Sequence, residues 1–240
     1  APAEFNTVDI NAPVVTAMEP MDGANDVAGD TDLMLWFDEE VVIGTGTVII
    51  REVATDIAVG EIVVSAGNTV LVTTDGKTKA TITTGVTLAS KTAYYVDVDG
   101  GTFEDLSGNG MAPIVGMDMW SFTTKDTVAP LLVKTLPDYA AATTPIIRKG
   151  TPLLIEFNEA MSMPTGVLYV RYATAPNGVF EVVNGNELLI SGDMKTFAVE
   201  MMNVPAEQDE FYVDLSELVL KDTSDNQWID ILGTDWNFII

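Results

Sequence analysis

The chain has 240 residues, with 36 Asp and Glu against 11 Lys and Arg, no His, no Cys and a formal charge of −25. These counts exclude disulfides, thiolate nucleophiles, imidazole catalysis and His- or Cys-ligated metals, and they oppose binding to nucleic-acid phosphates or insertion into anionic membranes. Hydrophobic residues make up 47% and charged residues only 20%, so this is not a disordered acidic tail, and the apolar content suffices for one large core or two smaller ones.

Residues 1–8 form an N-terminal extension. Phe5 and Val8 suit a segment that adds a strand to a neighbouring subunit's sheet edge; the plainer alternative is an untied tail. Residues 14–18 read as a short strand closed by Pro20, and residues 21–30, rich in Asp, Gly and Asn, read as a loop. Leu33, Leu35 and Phe37 alternate with Met34 and Trp36, so both faces are apolar and a central strand is predicted. Gly44-Thr45-Gly46 lacks the helix and Lys of a phosphate loop and reads as a turn before the strand at residues 48–50. Asp75-Gly76 between two β-rich runs signals a hairpin. Tyr94, Val96 and Val98 alternate with Tyr95, Asp97 and Asp99, and residues 120–124 close the unit. Asp97-x-Asp99-Gly100 lacks the remaining ligand spacing and closing Glu of an EF-hand. No amphipathic helix and no apolar run of membrane-spanning length is present.

The same order then recurs. Pro13 and Pro20 are answered by Pro130 and Pro137, Leu35-Trp36-Phe37-Asp38-Glu39 by Ile155-Glu156-Phe157-Asn158-Glu159, and Gly46 through Arg51 by Gly166 through Arg171. Tyr94-Tyr95-Val96-Asp97 is answered by Phe211-Tyr212-Val213-Asp214, Asp105-Leu106-Ser107-Gly108-Asn109 by Asp222-Thr223-Ser224-Asp225-Asn226, and Trp120-Ser121-Phe122 by Trp236-Asn237-Phe238. Domain-sized repetition of short strands predicts an all-β chain of two tandem Ig-like β-sandwich domains, residues 9–125 and 126–240.

Residues 9–125 resemble the bacterial Ig-like domain first described in surface-layer proteins, through Ala12-Pro13, the strand ending at Pro20, Phe37-Asp38-Glu39-Glu40, Tyr94-Tyr95-Val96, Asp105-Leu106-Ser107-Gly108-Asn109 and Trp120-Ser121-Phe122-Thr123-Thr124. The second copy departs where Asp225 replaces the loop glycine and Asn237-Phe238-Ile239-Ile240 ends the chain. The resemblance implies an extracellular or cell-surface structural module, a spacer, lattice unit or adhesive segment, usually without catalysis. A lack of Cys suits export.

In a sandwich entered at one pole and left at the other, the loop after the second strand and the loop before the last strand share the N-terminal pole. That placement gathers Asp9, Asp38, Glu39, Asp105 and Asn109 in domain 1, and Asp126, Asn158, Glu159, Asp222, Asp225 and Asn226 in domain 2 at the junction. Oxygen ligands from several loops suit Ca²⁺, which takes six to eight; the alternative is that these residues bond their own turns. Glu39 and Glu159 also follow strand ends as a glycosidase pair would, a signal with almost no specificity among 36 acids. The leading expectation is a non-catalytic surface-layer, filament or matrix subunit that self-associates as a homo-oligomer or polymer, with calcium stiffening the domain junction. The competing ones are an adhesin that recognises carbohydrate or protein through loops, with Trp228 as a contact residue, and a spacer from a larger surface protein. Trp36, Trp120 and Trp236 read as core or sheet-face residues.

Overall fold

A computed structural model describes residues 9–174, 178–203, 209–229 and 236–240. Phe5 and Val8 therefore lie outside the described residues. The chain divides into two compact units between Asp126 and Thr127. Among the described residues the structure is strand and loop, with one 3₁₀ turn at Gly185–Glu187. No helix there is long and apolar enough to cross a membrane.

Among the described residues the first unit has eleven strands: β1 (Val15–Glu19), β2 (Ala24–Val27), β3 (Leu33–Phe37), β4 (Val41–Ile43), β5 (Thr47–Glu52), β6 (Ala58–Val63), β7 (Thr69–Thr74), β8 (Lys77–Ile82), β9 (Ala93–Val98), β10 (Phe103–Asp105) and β11 (Ser121–Thr124). One sheet runs β1-β3-β8-β7, the other β2-β11-β9-β5-β6, and β4 pairs with β10 apart from both. All pairs are antiparallel except β2 with β11. The period-2 pattern puts Leu33, Leu35 and Phe37 of β3 and Val48 and Ile50 of β5 into one core with Val96, Val98, Phe103 and Trp120. β3 is central, as its two apolar faces predict: Met34 and Trp36 lie half-buried on the outer side. The Asp75-Gly76 turn takes positive φ at both residues, 51° and 74°, which matches the twist of the hairpin β7–β8. Gly44 and Gly46 allow the 44–46 turn to lie against residues 101–102, where a Cβ on Gly46 would overlap the Thr102 side chain.

Among the described residues the second unit has nine strands: β12 (Leu132–Leu136), β13 (Leu153–Phe157), β14 (Thr165–Tyr172), β15 (Val179–Asn184), β16 (Leu189–Ile190), β17 (Thr196–Val199), β18 (Glu210–Asp214), β19 (Leu218–Val219) and β20 (Asn237–Ile239). The sheets are β12-β13-β17-β16 and β15-β14-β18-β20, with β19 on β14. The core, led by Phe157, Phe197, Phe211, Trp236 and Phe238, repeats the first in kind.

The loop expected over residues 21–30 is corrected. It contains β2, which pairs in parallel with β11. Nothing in Ala24-Asn25-Asp26-Val27 marks a strand, and Asp26 has φ 57°; the pairing is imposed by the end of β11, a hundred residues away. Asp22 secures the same approach, since its carboxylate accepts the Ser121 N–H at 2.8 Å.

One buried tie recurs in both units. Trp120 Nε1 donates to the Pro20 carbonyl at 2.7 Å, and Trp236 Nε1 donates to the Pro137 carbonyl at 2.7 Å. Each indole is fully buried, so each N–H needs this acceptor. Trp120→Phe is expected to destabilise its unit by about 1–3 kcal/mol from the orphaned carbonyl alone, with a further loss for the missing volume. Urea unfolding of Trp120→Phe and Trp236→Phe checks this; an unchanged midpoint contradicts it.

Candidate functional site

The acidic residues singled out in the sequence divide by what their side chains do. Asp38 follows β3, and its Oδ1 accepts the Val14 N–H at 2.8 Å while its own N–H donates to the Val14 carbonyl at 3.1 Å. It thus continues the β1–β3 ladder past the irregularity between Val15 and Ala17. Asn158 does the same in the second unit, accepting the Leu131 N–H at 2.7 Å and donating to the Leu131 carbonyl at 3.0 Å.

Asp105 ends β10 and is 2% exposed. Its Oδ1 accepts the Ser107 N–H at 2.8 Å and the Asn109 N–H at 2.7 Å, and its Oδ2 accepts the Asn109 side-chain amide at 2.7 Å. The Asn109 amide and, against the cost of burial, the backbone N–H groups of Asn109, Ser107 and Gly108 hold this carboxyl below the usual aspartate range. The second unit builds the same loop: Asp222 accepts the Ser224 and Asn226 N–H groups and the Asn226 amide, each at 2.8 Å. Asp225 replaces Gly108 without changing this geometry. It takes φ 71° where Gly108 has 86°, a left-handed conformation that Asp tolerates better than most residues. The Asp225 side chain is 86% exposed and lies 3.5 Å from Lys221, so the structure places this expected ligand on an exposed turn beside a lysine.

Three carboxylates converge in the first unit. Asp9, Glu39 and Asp105 each present one oxygen, and these lie within 4.8 Å of one another. Asp9 is held by its own turn, with Oδ1 accepting the Asn11 N–H at 3.0 Å. Asn109 ties the group together, since its amide donates both to the Asp9 carbonyl at 3.0 Å and to Asp105. No donor reaches the Glu39 carboxylate among the described residues. Burial, then Asp105, Asp38 and Asp9 in that order, push the Glu39 carboxyl above the usual glutamate range. The set is all oxygen and carries excess negative charge, the chemistry of a hard divalent cation. In the repeat, Asp126 is buried and differently engaged: it accepts the Ser90 hydroxyl at 3.2 Å and pairs with Lys91 at 2.7 Å. Glu159 is half-buried.

Trp228 is corrected as a contact residue. It is 6% exposed, and its ring packs edge-on to Phe157 at 5.5 Å. The loop folds back because the large indole gains more in the core than in water. The sequence reading missed a repeated ion pair on the second sheet of each unit, Arg51–Asp97 at 3.1 Å and Arg171–Asp214 at 2.7 Å. Its signal was present in the repeat, since Arg51 answers Arg171 and Asp97 answers Asp214.

Residues 9–124 match the sequence model of the family described as bacterial Ig-like domain. Together with the strand architecture, this settles the class. The chain is built of tandem Ig-like domains. Among solved structures it is similar to DIP-gamma IG1+IG2, at 8% identity and TM-score 0.37 over 91% of this chain and 94% of that one. It is also similar to the BSP domain of a biofilm associated protein, at 12% identity and TM-score 0.23 over 88% of this chain and 27% of that one. A third is SGBP-B from a xyloglucan utilization locus in Bacteroides uniformis, at 11% identity and TM-score 0.25 over 90% of this chain and 49% of that one. A comparison with curated proteins returns no match.

The two pole carboxylates have opposite linkage signs. The stability from Asp105, whose pKa is lowered on folding, is present above the ordinary aspartate pKa and is lost as pH falls through its folded value. The Glu39 contribution, with pKa raised, is present below the ordinary glutamate pKa and is lost as pH rises through its folded value. In chelator at neutral pH, Asp105→Ala is therefore expected to lower the melting temperature and Glu39→Gln to raise it. Thermal melts at pH 7 and pH 3 check the signs: both effects shrink at the lower pH, and a Glu39→Gln variant less stable than wild type at pH 7 contradicts the electrostatic account.

Proposed function

We propose that this chain is a non-catalytic structural module of an exported surface or matrix protein, and that its first domain takes a divalent cation, with calcium as the candidate, at the pole formed by Asp9, Glu39 and Asp105. The observation that carries the reading is the approach of these three carboxylates within 4.8 Å while, among the described residues, no donor reaches the Glu39 carboxylate. Like charges so placed repel one another, and a cation among them turns repulsion into attraction between three separate segments of chain. The ion would join the segment before β1, the end of β3 and the end of β10. The first domain would then be stiffened at the pole where these three segments meet.

The structural part of the reading draws on how the acidic residues are used. Asp38, Asp105, Asn158 and Asp222 are spent on backbone N–H groups, and Asp97 and Asp214 on arginines. These are bonds that fix loops and sheets. Trp228 lies in the core, which removes the loop aromatic that favoured an adhesin. Export is supported by the bacterial Ig-like match and by a chain without Cys. The second repeat carries Asp126, Glu159 and Asp222 at the matching sequence positions.

Calcium binding to the folded state alone adds RT ln(1+[L]/Kd), about 2.7 kcal/mol at a hundredfold excess over Kd. Wild-type protein is expected to melt at higher temperature in calcium than in chelator, and Glu39→Gln is expected to lose most of that increment. Asp225→Asn, on the exposed turn, retains it. Differential scanning calorimetry of the three proteins decides. The same increment in Glu39→Gln as in wild type, or none in wild type, overturns the cation reading.

A further inference from the structure

The charge is unevenly spread, and the longest uncharged stretch falls on a sheet edge that is unpaired among the described residues. Residues 62–74 carry no charged side chain, the longest such stretch in the chain, and residues 62–96 hold three lysines against one aspartate in a protein of net charge −25. This stretch contains β7, which pairs with β8 on one side and, among the described residues, ends the sheet on the other. The sequence of β7, Thr-Val-Leu-Val-Thr-Thr, is β-branched at five of six positions and has none of the usual guards of an edge strand, no Lys, Pro or inward charge. Val70 is 62% exposed and Val72 is 49% exposed.

The second unit shows that the fold does not need this edge. Its corresponding strand, β16, is two residues long and stands between Glu187 and Asp193. There the edge is short and flanked by acids; in the first unit it is long and neutral. Core packing does not explain the extension either, since the side chains from Val72 to Thr74 are all exposed.

The hairpin geometry says which backbone groups are free. Across a two-residue turn, the pair next to the turn, Thr74 and Lys77, is hydrogen-bonded, and bonding then alternates along the ladder to Val72 and Val70. Two neighbouring bonds keep the same phase: Thr83 donates to the Asn68 carbonyl at 2.8 Å on the β7 side, and Thr78 donates to the Glu39 carbonyl at 3.1 Å on the β3 side. The N–H and C=O groups of Leu71 and Thr73 therefore point out of the sheet.

We infer that β7 is a self-association edge: two copies of this chain pair their β7 strands antiparallel about a two-fold axis and join two four-stranded sheets into one of eight. A register with Leu71 opposite Leu71 of the second copy sets Val70 beside Val72 of the second copy, twice by symmetry, and leaves no acid facing an acid. Two chains of this net charge repel at long range; the neutral edge, with Lys77 and Lys79 behind it, lets them approach here. The inference rests on the structural-module reading above, though not on its cation.

The test is sedimentation equilibrium of the 240-residue chain in chelator, so that calcium plays no part. Wild-type protein is expected to show a monomer–dimer equilibrium. Val70→Glu/Val72→Glu, which sets glutamates against each other across the axis, is expected to weaken it about tenfold or more. Val182→Glu, on exposed β15 of the second unit, leaves it unchanged. Hydrogen exchange on wild-type protein supplies a readout that needs no variant: the Leu71 and Thr73 amides gain protection as protein concentration rises. A wild-type chain that stays monomeric overturns the inference, as does concentration-independent exchange at those two amides. Dimerisation that survives the double substitution in a folded protein overturns the interface while leaving self-association and the module reading standing.

Discussion

The Asp105 carboxylate is the point on which the N-terminal pole depends. It is nearly excluded from water, and its oxygens accept two backbone N–H groups and one side-chain amide from the four residues that follow it. A buried carboxylate stays ionised only when so satisfied. Once ionised and fixed, it imposes a field on what lies nearby, and Glu39 is the residue that feels it. At this pole a role in the turn and the proposed role as a cation ligand are therefore compatible. Asp105 is a turn residue, and because it is one it holds a negative charge in place where Glu39 and Asp9 must share space with it. The second unit keeps the turn through Asp222 and Asn226, while Asp126, the last residue of the first unit, pairs with Lys91.

Charge also divides labour along the chain. Acids at strand ends and loops serve the poles and the outer Arg–Asp pairs, which recur at matched sites in both units. The longest stretch without any charged side chain, residues 62–74, leads into the β7–β8 hairpin, the same element that the second unit shortens. Two repeats of one fold have thus diverged at an edge strand and in the partner of one aspartate, and both differences bear on what each unit meets.

Much of this was legible in the sequence because it is local or repeated. The hairpin at Asp75-Gly76 follows from positive φ at two adjacent residues, and the central place of β3 follows from apolar residues on both faces. The gathering of Asp9, Glu39 and Asp105 in the first unit follows from counting strand directions, which needs no side-chain detail. What escaped depends on distant partners. β2 has no strand signature, and β11 recruits it. Trp228 reads as a loop aromatic until Phe157 is placed beneath it. Asp225 reads as one more candidate ligand, and only its φ shows that it took over the task of a glycine. The Arg–Asp pairs were visible as two matched columns of the repeat, but pairing them requires the β5–β9 and β14–β18 registers.

The central claim is that the acidic pole of the first domain is one defined cation site and not a share of a diffuse acidic surface. Backbone amide NMR during a calcium titration at constant ionic strength tests it most directly. The account predicts saturable shifts centred on Asp9, residues 38–40 and residues 105–109, with a common midpoint. Shifts that drift without saturating across the 36 acidic residues, or that leave Glu39 and Asp105 unmoved, would contradict it.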